Sequence, residues 1–186
     1  DQVCLLYPVD KARVAIAGLS AGASMAALVV TRHPGRFKAV VMHSGIPPGT
    51  AHSTLSALGA MHGHRATTPL AATPSAMEAH WPPLLVIHGD GDGVVSPKNG
   101  LAAAEVWAHA AGAKAGPARS VQRGKRYPMS VTDFKRRGST VATLVAVNGL
   151  AHAWSGGAAS QAFSDGQGPD ASRMAWGFAA KQFRVA

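Results

Sequence analysis

The sequence predicts an α/β fold in which a mostly parallel sheet is covered by helices on both faces. Short apolar runs with β-branched residues alternate with Ala-rich stretches of helical length, as in chains that form such sheets. The 186 residues are 47% hydrophobic and only 15% charged, which is enough to bury a core of their own. No repeat or second domain is visible, so we expect residues 1–186 to form a single domain.

The predicted elements begin with a strand at residues 12–18, ARVAIAG, a short apolar run with charge before it and glycine after it. Residues 20–34 are Ala-rich and predict a helix that Pro34 and Gly35 end. Further strands are predicted at residues 37–45, 82–90 and 139–149, the last paired with residues 126–134. Further helices are predicted at residues 100–113 and 170–183.

Residues 46–81 interrupt this alternation with Pro, Thr, Ser, Gly and His. A segment of this length without periodicity inside a compact domain is usually functional or mobile. We expect it to form a small cap over the edge of the sheet and to line a substrate-binding region.

The formal net charge of +9 is compatible with binding to polyanions. The cations are nevertheless scattered, except in residues 119–137, which we interpret as a solvated hairpin. No apolar run reaches about 18 residues, the length that spans a bilayer. We expect neither nucleic acid nor a membrane as a partner. The single cysteine, Cys4, excludes a disulfide within this sequence.

A G-x-S-x-G pattern formed by Gly18, Ser20 and Gly22 lies where the first predicted strand meets the first helix. Glycines beside the serine would remove Cβ atoms that collide in so tight a turn, which makes this a predicted nucleophile elbow. The elbow would project the serine hydroxyl from the backbone. It would also place the N–H of Ala21 at a helix N-terminus, where it can stabilise an oxyanion.

A nucleophilic serine needs a histidine base and a carboxylate that orients it. After Ser20, only Asp90 and Asp92 directly follow a buried strand, and we favour Asp92 because it lies further into the Gly-rich loop. Asp90 is then interpreted as a turn former. His152 follows the last strand in a Gly-rich loop, and the order Ser, Asp, His is that of the hydrolase fold with an elbow.

The remaining histidines predict no metal or cofactor site. His62 and His64 are close in the sequence, but no partners complete a ligand set around them. His43 and Ser44 end the second predicted strand, and we expect them to lie near the site and shape a substrate pocket.

Three blocks of the sequence resemble the signatures of the polyhydroxybutyrate (PHB) depolymerase-type esterases, α/β-hydrolases that also include feruloyl and acetylxylan esterases. The blocks are GLSAGASMA, HGDGDGVV and GLAHAWSGG, and the resemblance extends over residues 9–183. It implies Ser20 as nucleophile, Asp92 as orienting acid and His152 as general base. It also implies an oxyanion donor at Ala21 and a wall for an acyl or alkoxy group at Trp154.

The sequence departs from this family in its first part. Family members have an upstream half with several strands and a His-Gly loop that supplies the second oxyanion donor, and nothing here matches that region. The resemblance therefore implies a sheet without its N-terminal strands, in either a fragment of a longer protein or a truncated product. In a truncated product, the missing donor would cost on the order of 3 kcal/mol in transition-state stabilisation. Family members are often exported, which implies a secreted or periplasmic protein.

These inferences together predict a serine esterase that hydrolyses small or polymeric carboxylic esters through an acyl-enzyme on Ser20. Two alternatives stay open at the level of the sequence. One is a serine peptidase of the same fold, and the other is a non-catalytic binding protein on a truncated hydrolase scaffold.

Overall fold

The computed structural model describes residues 2–51, 53–63 and 81–184. The helices are α1 (Gln2–Leu6), α2 (Ala21–Arg32), α3 (Thr54–Met61), α4 (Lys98–Ala111) and α5 (Ala171–Gln182), with a 3₁₀ turn at Pro34–Arg36. The strands are β1 (Ala15–Leu19), β2 (Ala39–His43), β3 (Leu84–Gly89), β4 (Lys114–Ala115), β5 (Arg119–Val121), β6 (Met129–Arg136), β7 (Ser139–Val147), β8 (Trp154–Ser155) and β9 (Ser164–Asp165).

A seven-stranded sheet in the order β1-β2-β3-β7-β6-β4, with β5 also paired to β6, forms the centre of the molecule. The pairs β1–β2, β2–β3 and β3–β7 are parallel. β6 runs antiparallel to β4, β5 and β7. The predicted α/β class and mainly parallel sheet are confirmed, and so is the pairing of the last long strand with the segment before it.

Helices cover both faces of the sheet. α2 and α4 pack over one face, on a core that includes Val40, Met42 and Trp107. α5 packs over the other face, on a core that includes Val41 and Ile87. Because β2 and β3 are buried along their whole length, their sequences are nearly continuous apolar runs.

Helix α3 lies in the segment where no periodicity was visible. Ser53 caps its N-terminus: its hydroxyl accepts from the backbone N–H of Ser56, whose hydroxyl accepts from the N–H of Ser53. At the other end, the side-chain amide of Asn99 donates to the carbonyl oxygens of Ala60 and Met61. These bonds tie α3 to the start of α4. Residues 64–80 of the predicted cap lie outside the described residues, so the cap stays a prediction.

Strand β1 lies at one edge of the sheet. Among the described residues it pairs with β2 on one side only, and Ala17 in its middle is exposed. Beside it, β1 and α5 border a groove of about 860 Å³ lined by apolar side chains that include Val14 and Trp176. In the described part of the chain, no helix has the length and apolar character needed to cross a membrane.

Candidate active site

Ser20 is the single residue between the end of β1 and the start of α2, and its backbone has φ 56° and ψ −122°. A positive φ at a residue other than glycine stores strain of order 1–3 kcal/mol and persists only where the surroundings hold it. Here the Ser20 N–H donates to the carbonyl of His43 at 2.8 Å, and its own carbonyl accepts from the N–H groups of Ala23 and Ser24. The neighbouring strand β2 and the helix after the turn therefore fix its geometry.

The two glycines of the motif have different surroundings. A Cβ atom at Gly18 would overlap the carbonyl group of Gly22 and lie 2.6 Å from the nitrogen of Ala23. A Cβ atom at Gly22 would meet nothing within 4 Å. The expectation that glycine relieves a collision in the turn is met at the first position and is wrong at the second, because Gly22 faces away from the strand.

The structure brings Ser20, His152 and Asp92 into one hydrogen-bonded chain. Nδ1 of His152 lies 2.8 Å from Oδ2 of Asp92, and its Nε2 lies 3.0 Å from the Ser20 hydroxyl oxygen. Because an ionised carboxylate only accepts, Nδ1 carries the proton and Nε2 accepts from the serine hydroxyl. This is the tautomer that a general base needs in order to take a proton from Ser20.

The Asp92 carboxylate is held by groups on all sides. Its Oδ1 accepts from the N–H groups of Val94 at 3.0 Å and Val95 at 2.8 Å, and its Oδ2 also lies 3.4 Å from Nε2 of His88. Burial alone would raise the pKa of Asp92, but the hydrogen bonds from His88, Val95, His152 and Val94 hold that pKa well below its usual range. Asp92 is therefore an anion, aimed at His152.

Asp90 has a different role in the loop. Its Oδ1 accepts from the backbone N–H of Gly149 at 2.6 Å, and its own N–H donates to the carbonyl of Val147. It therefore links the end of β3 to the end of β7. This agrees with the interpretation of Asp90 as a turn residue.

Ala21 occupies the first position of α2 and is exposed. The first backbone N–H groups of a helix have no partner within the helix, which is what the predicted oxyanion donor at Ala21 requires, and that role stays a prediction. No group of three or more His, Cys, Asp or Glu side chains that could hold a metal ion occurs in the described ranges.

Comparison with known protein families gives one match. Residues 2–125, more than half of the chain, match the family described as esterase PHB depolymerase. The chain belongs to this family. The matched range includes Ser20 and Asp92 and ends before His152. No curated protein matches the sequence.

Solved structures of similar fold include two esterases. An acetyl xylan esterase from Aspergillus awamori has a TM-score of 0.64 and 21% identity, over 81% of this chain and 58% of its own. A PHB depolymerase (S39A) complexed with an R3HB trimer has a TM-score of 0.66 and 16% identity, over 96% of this chain and 53% of its own. This PHB depolymerase family chain thus spans just over half the length of these structures. Their likeness shows an α/β-hydrolase fold.

His43 of this esterase-family chain lies behind the site instead of on its surface. Its side chain is fully buried, Nε2 accepts from the N–H of Ser155 at 3.1 Å, and Nδ1 donates to the hydroxyl of Ser44 at 3.1 Å. Burial, with repulsion from His88 and His152, lowers its pKa to about 3, so the ring is neutral. A ring with both nitrogens engaged inside the protein is suited to positioning the loop of His152, and the role predicted for His43 in shaping the substrate pocket stays a prediction.

Trp154 follows His152 and is half-buried. Its ring stacks on His43 with centroids 5.1 Å apart, and its indole N–H donates to the hydroxyl of Ser172 at 3.1 Å. The role predicted for Trp154 as a wall for substrate stays a prediction, since the ring also packs against the core beneath it.

Sequence reasoning missed His88. It is 2% exposed, its Nε2–H donates to the carbonyl of Val95 at 2.9 Å, and this bond holds the loop that carries Asp92. Its Nδ1 is buried and has no hydrogen-bond partner among the described residues. The signal was a histidine inside the otherwise apolar run LLVIHG, because such a residue must be satisfied by something beyond its own strand.

Proposed function

We propose that this chain carries the active site of a serine esterase, with Ser20 as nucleophile, His152 as general base and Asp92 as the orienting carboxylate. The observation that carries the proposal is the chain of hydrogen bonds from Ser20 through both ring nitrogens of His152 to Asp92, at 3.0 and 2.8 Å. Membership of an esterase family supports an ester as the substrate.

In the first step, His152 takes the Ser20 proton while the hydroxyl oxygen attacks an ester carbonyl. The oxyanion that forms accepts from the N–H of Ala21 and from a second donor. The Asp92 carboxylate stabilises the imidazolium, which then gives its proton to the departing alcohol. In the second step the same base activates water, which releases the acid and restores Ser20.

The proposed substrates are carboxylic esters of the kinds named for two relatives of similar fold. One relative is an acetyl xylan esterase and the other is a PHB depolymerase bound to an R3HB trimer. We therefore propose an acetylated sugar or an oligomer of a hydroxyalkanoate as the substrate of this chain, and the family resemblance adds a feruloylated sugar to these candidates. From the family resemblance, the same proposal includes that the protein is secreted or periplasmic.

The test is the intact mass of the protein after incubation with a fluorophosphonate, which reacts with activated serines. We expect a single adduct on the wild type and none on Ser20→Ala. The exposed Ser160 provides the matched control, and Ser160→Ala should be labelled like the wild type. Absence of an adduct on folded wild-type protein, or an adduct that survives in Ser20→Ala, would contradict the proposal.

Turnover then separates esters from amides. The wild type should hydrolyse p-nitrophenyl acetate and short 3-hydroxybutyrate oligomers, and it should leave peptide p-nitroanilides uncleaved. Faster cleavage of the anilides would identify a peptidase. A protein that is labelled but binds esters without turnover would indicate that the second oxyanion donor is required.

A further inference from the structure

Phe163 is a large apolar residue that the fold holds in the open beside the candidate base. Its side chain is 68% exposed, whereas the side chain of His152 is only 8% exposed. The two ring centroids are 6.4 Å apart, and the ring planes meet at 84°. Isolated apolar residues on a surface are common, so exposure alone carries no argument.

The backbone of Phe163 supplies the second observation. Its φ is 54°, in the left-handed region that bulky residues rarely adopt. The conformation is held on the carbonyl side, since the carbonyl of Phe163 accepts from the N–H of Trp154 at 2.7 Å and the next two residues form β9 against β8. Strain of this kind, held by its surroundings, occurs preferentially at functional sites.

The loop that holds Phe163 is packed too closely to shift easily. A Cβ atom at Gly157 would overlap the hydroxyl of Ser164, the residue after Phe163. The N–H of Gly156 also donates to the carbonyl of Asp165 at 2.7 Å. The exposed ring is therefore mounted on a rigid support, as a residue that contacts substrate needs to be.

The position of His152 decides which part of an ester Phe163 would meet. The imidazolium must deliver its proton from Nε2 to the oxygen of the departing alcohol, so that oxygen lies on the His152 side of Ser20. Whatever the alcohol carries beyond its oxygen extends over the same side. Phe163 is an exposed aromatic ring that meets the ring of His152 edge to face.

We propose that Phe163 is a specificity-determining residue whose ring contacts the alcohol part of the ester and favours alcohols that offer it an apolar or aromatic face. This inference rests on the proposed esterase function and deepens it. The acyl part, which stays bonded to Ser20, lies away from the ring and does not depend on it.

The experiment compares kcat/KM for benzyl acetate and methyl acetate, two esters with the same acyl group and with alcohols of similar acidity. Phe163→Ala should lower the benzyl-to-methyl ratio about tenfold, mainly through KM, because it removes an apolar contact. Phe163→Tyr should retain the wild-type ratio. The ratio for methyl butyrate over methyl acetate should not change in either variant.

Trp176 provides the matched control. It is also 68% exposed, but it lies on α5 beside the groove at β1, so Trp176→Ala should keep the wild-type ratios. Circular dichroism would establish that each variant is folded.

Three outcomes would overturn the inference. An unchanged benzyl-to-methyl ratio in Phe163→Ala would show that the ring does not touch the alcohol. An equal loss on all esters would show that the ring acts through His152. If the wild type hydrolyses no ester, both the proposed function and this inference are wrong. The rates of the wild type alone distinguish this outcome from the first two.

Discussion

At Ser20 the backbone passes from strand to helix within one residue, and Gly18 makes that possible. A methyl group at Gly18 would overlap the carbonyl of Gly22 and press on the nitrogen of Ala23, both parts of the rigid backbone. We expect Gly18→Ala to lower the free energy of unfolding by about 3 kcal/mol, measured by urea denaturation.

The control is Gly22→Ala, where the added methyl group meets nothing. Since Gly22 lies in the first turn of α2, alanine should leave stability unchanged or raise it by up to about 1 kcal/mol. Equal losses in the two variants would contradict the asymmetry of the elbow.

Asp90 and Asp92 both follow β3, but their substitution should change kcat to very different extents. Asp92→Asn should lower kcat for ester hydrolysis about a thousandfold or more, because an amide can donate to Nδ1 and hold His152 in the wrong tautomer. Asp90→Asn removes only a carboxylate that accepts from Gly149, so kcat should stay within about tenfold. A larger loss in Asp90→Asn would reverse the assignment.

Much of the candidate site could be predicted residue by residue. Ser20, Asp92 and His152 each follow a strand, and the carboxyl ends of parallel strands meet at one edge of a sheet. The burial of His43 behind the site could not be predicted, because the group that its Nε2 binds lies in a distant segment. For His43 the partner is Ser155, 112 residues away.

At the scale of elements, the neutral ring of His43 joins β2 to β8. Folding lowers its pKa to about 3 from the usual 6.5, so the unfolded chain binds more protons than the folded one between these pH values. Above pH 6.5 the ring is neutral in both states, and the free energy of unfolding has its full value. That free energy falls as the pH drops from 6.5 towards 3. The slope for one such group is about 1.4 kcal/mol per pH unit.

We therefore expect the free energy of unfolding of the wild type to fall more steeply between pH 6.5 and 3 than that of His43→Gln. Glutamine can still accept from Ser155 but does not titrate. Chemical denaturation at several pH values, with the slopes compared, measures the difference between the two proteins and cancels what they have in common. Parallel slopes would mean that folding does not lower the pKa of His43.

The longer elements were predictable from periodicity, and the short ones were not. β1, β2, β3 and β7 are apolar runs, because both faces of that part of the sheet are covered. β8 and β9 have two residues each, too few for any pattern, and α3 depends on a capping box in which both partners are serines. Such elements depend on contacts with the rest of the chain.

At the scale of the whole molecule, β1 pairs on one side only within the described part of the chain, and an apolar groove lies beside it. Unpaired edge strands promote association between chains, and a charged side chain on the edge opposes it. We expect Ala17→Lys to raise the concentration at which this chain remains monomeric, measured by sedimentation velocity. Ala158→Lys adds the same charge at an exposed position away from β1. An equal gain from both would indicate net charge as the cause.

The hydrogen bonds of the candidate site close large loops: Ser20 and His152 are 132 residues apart in the sequence, and Asp92 and His152 are 60 apart. Contacts of such separation form slowly, because chain entropy must be overcome before they contribute. α2 can form from local interactions, but the hydrogen bonds from Ser20 through His152 to Asp92 can form only when β1, β3 and β7 are aligned. During refolding, reactivity of Ser20 towards a fluorophosphonate would therefore appear after helical signal and mark the moment at which the parallel sheet is complete.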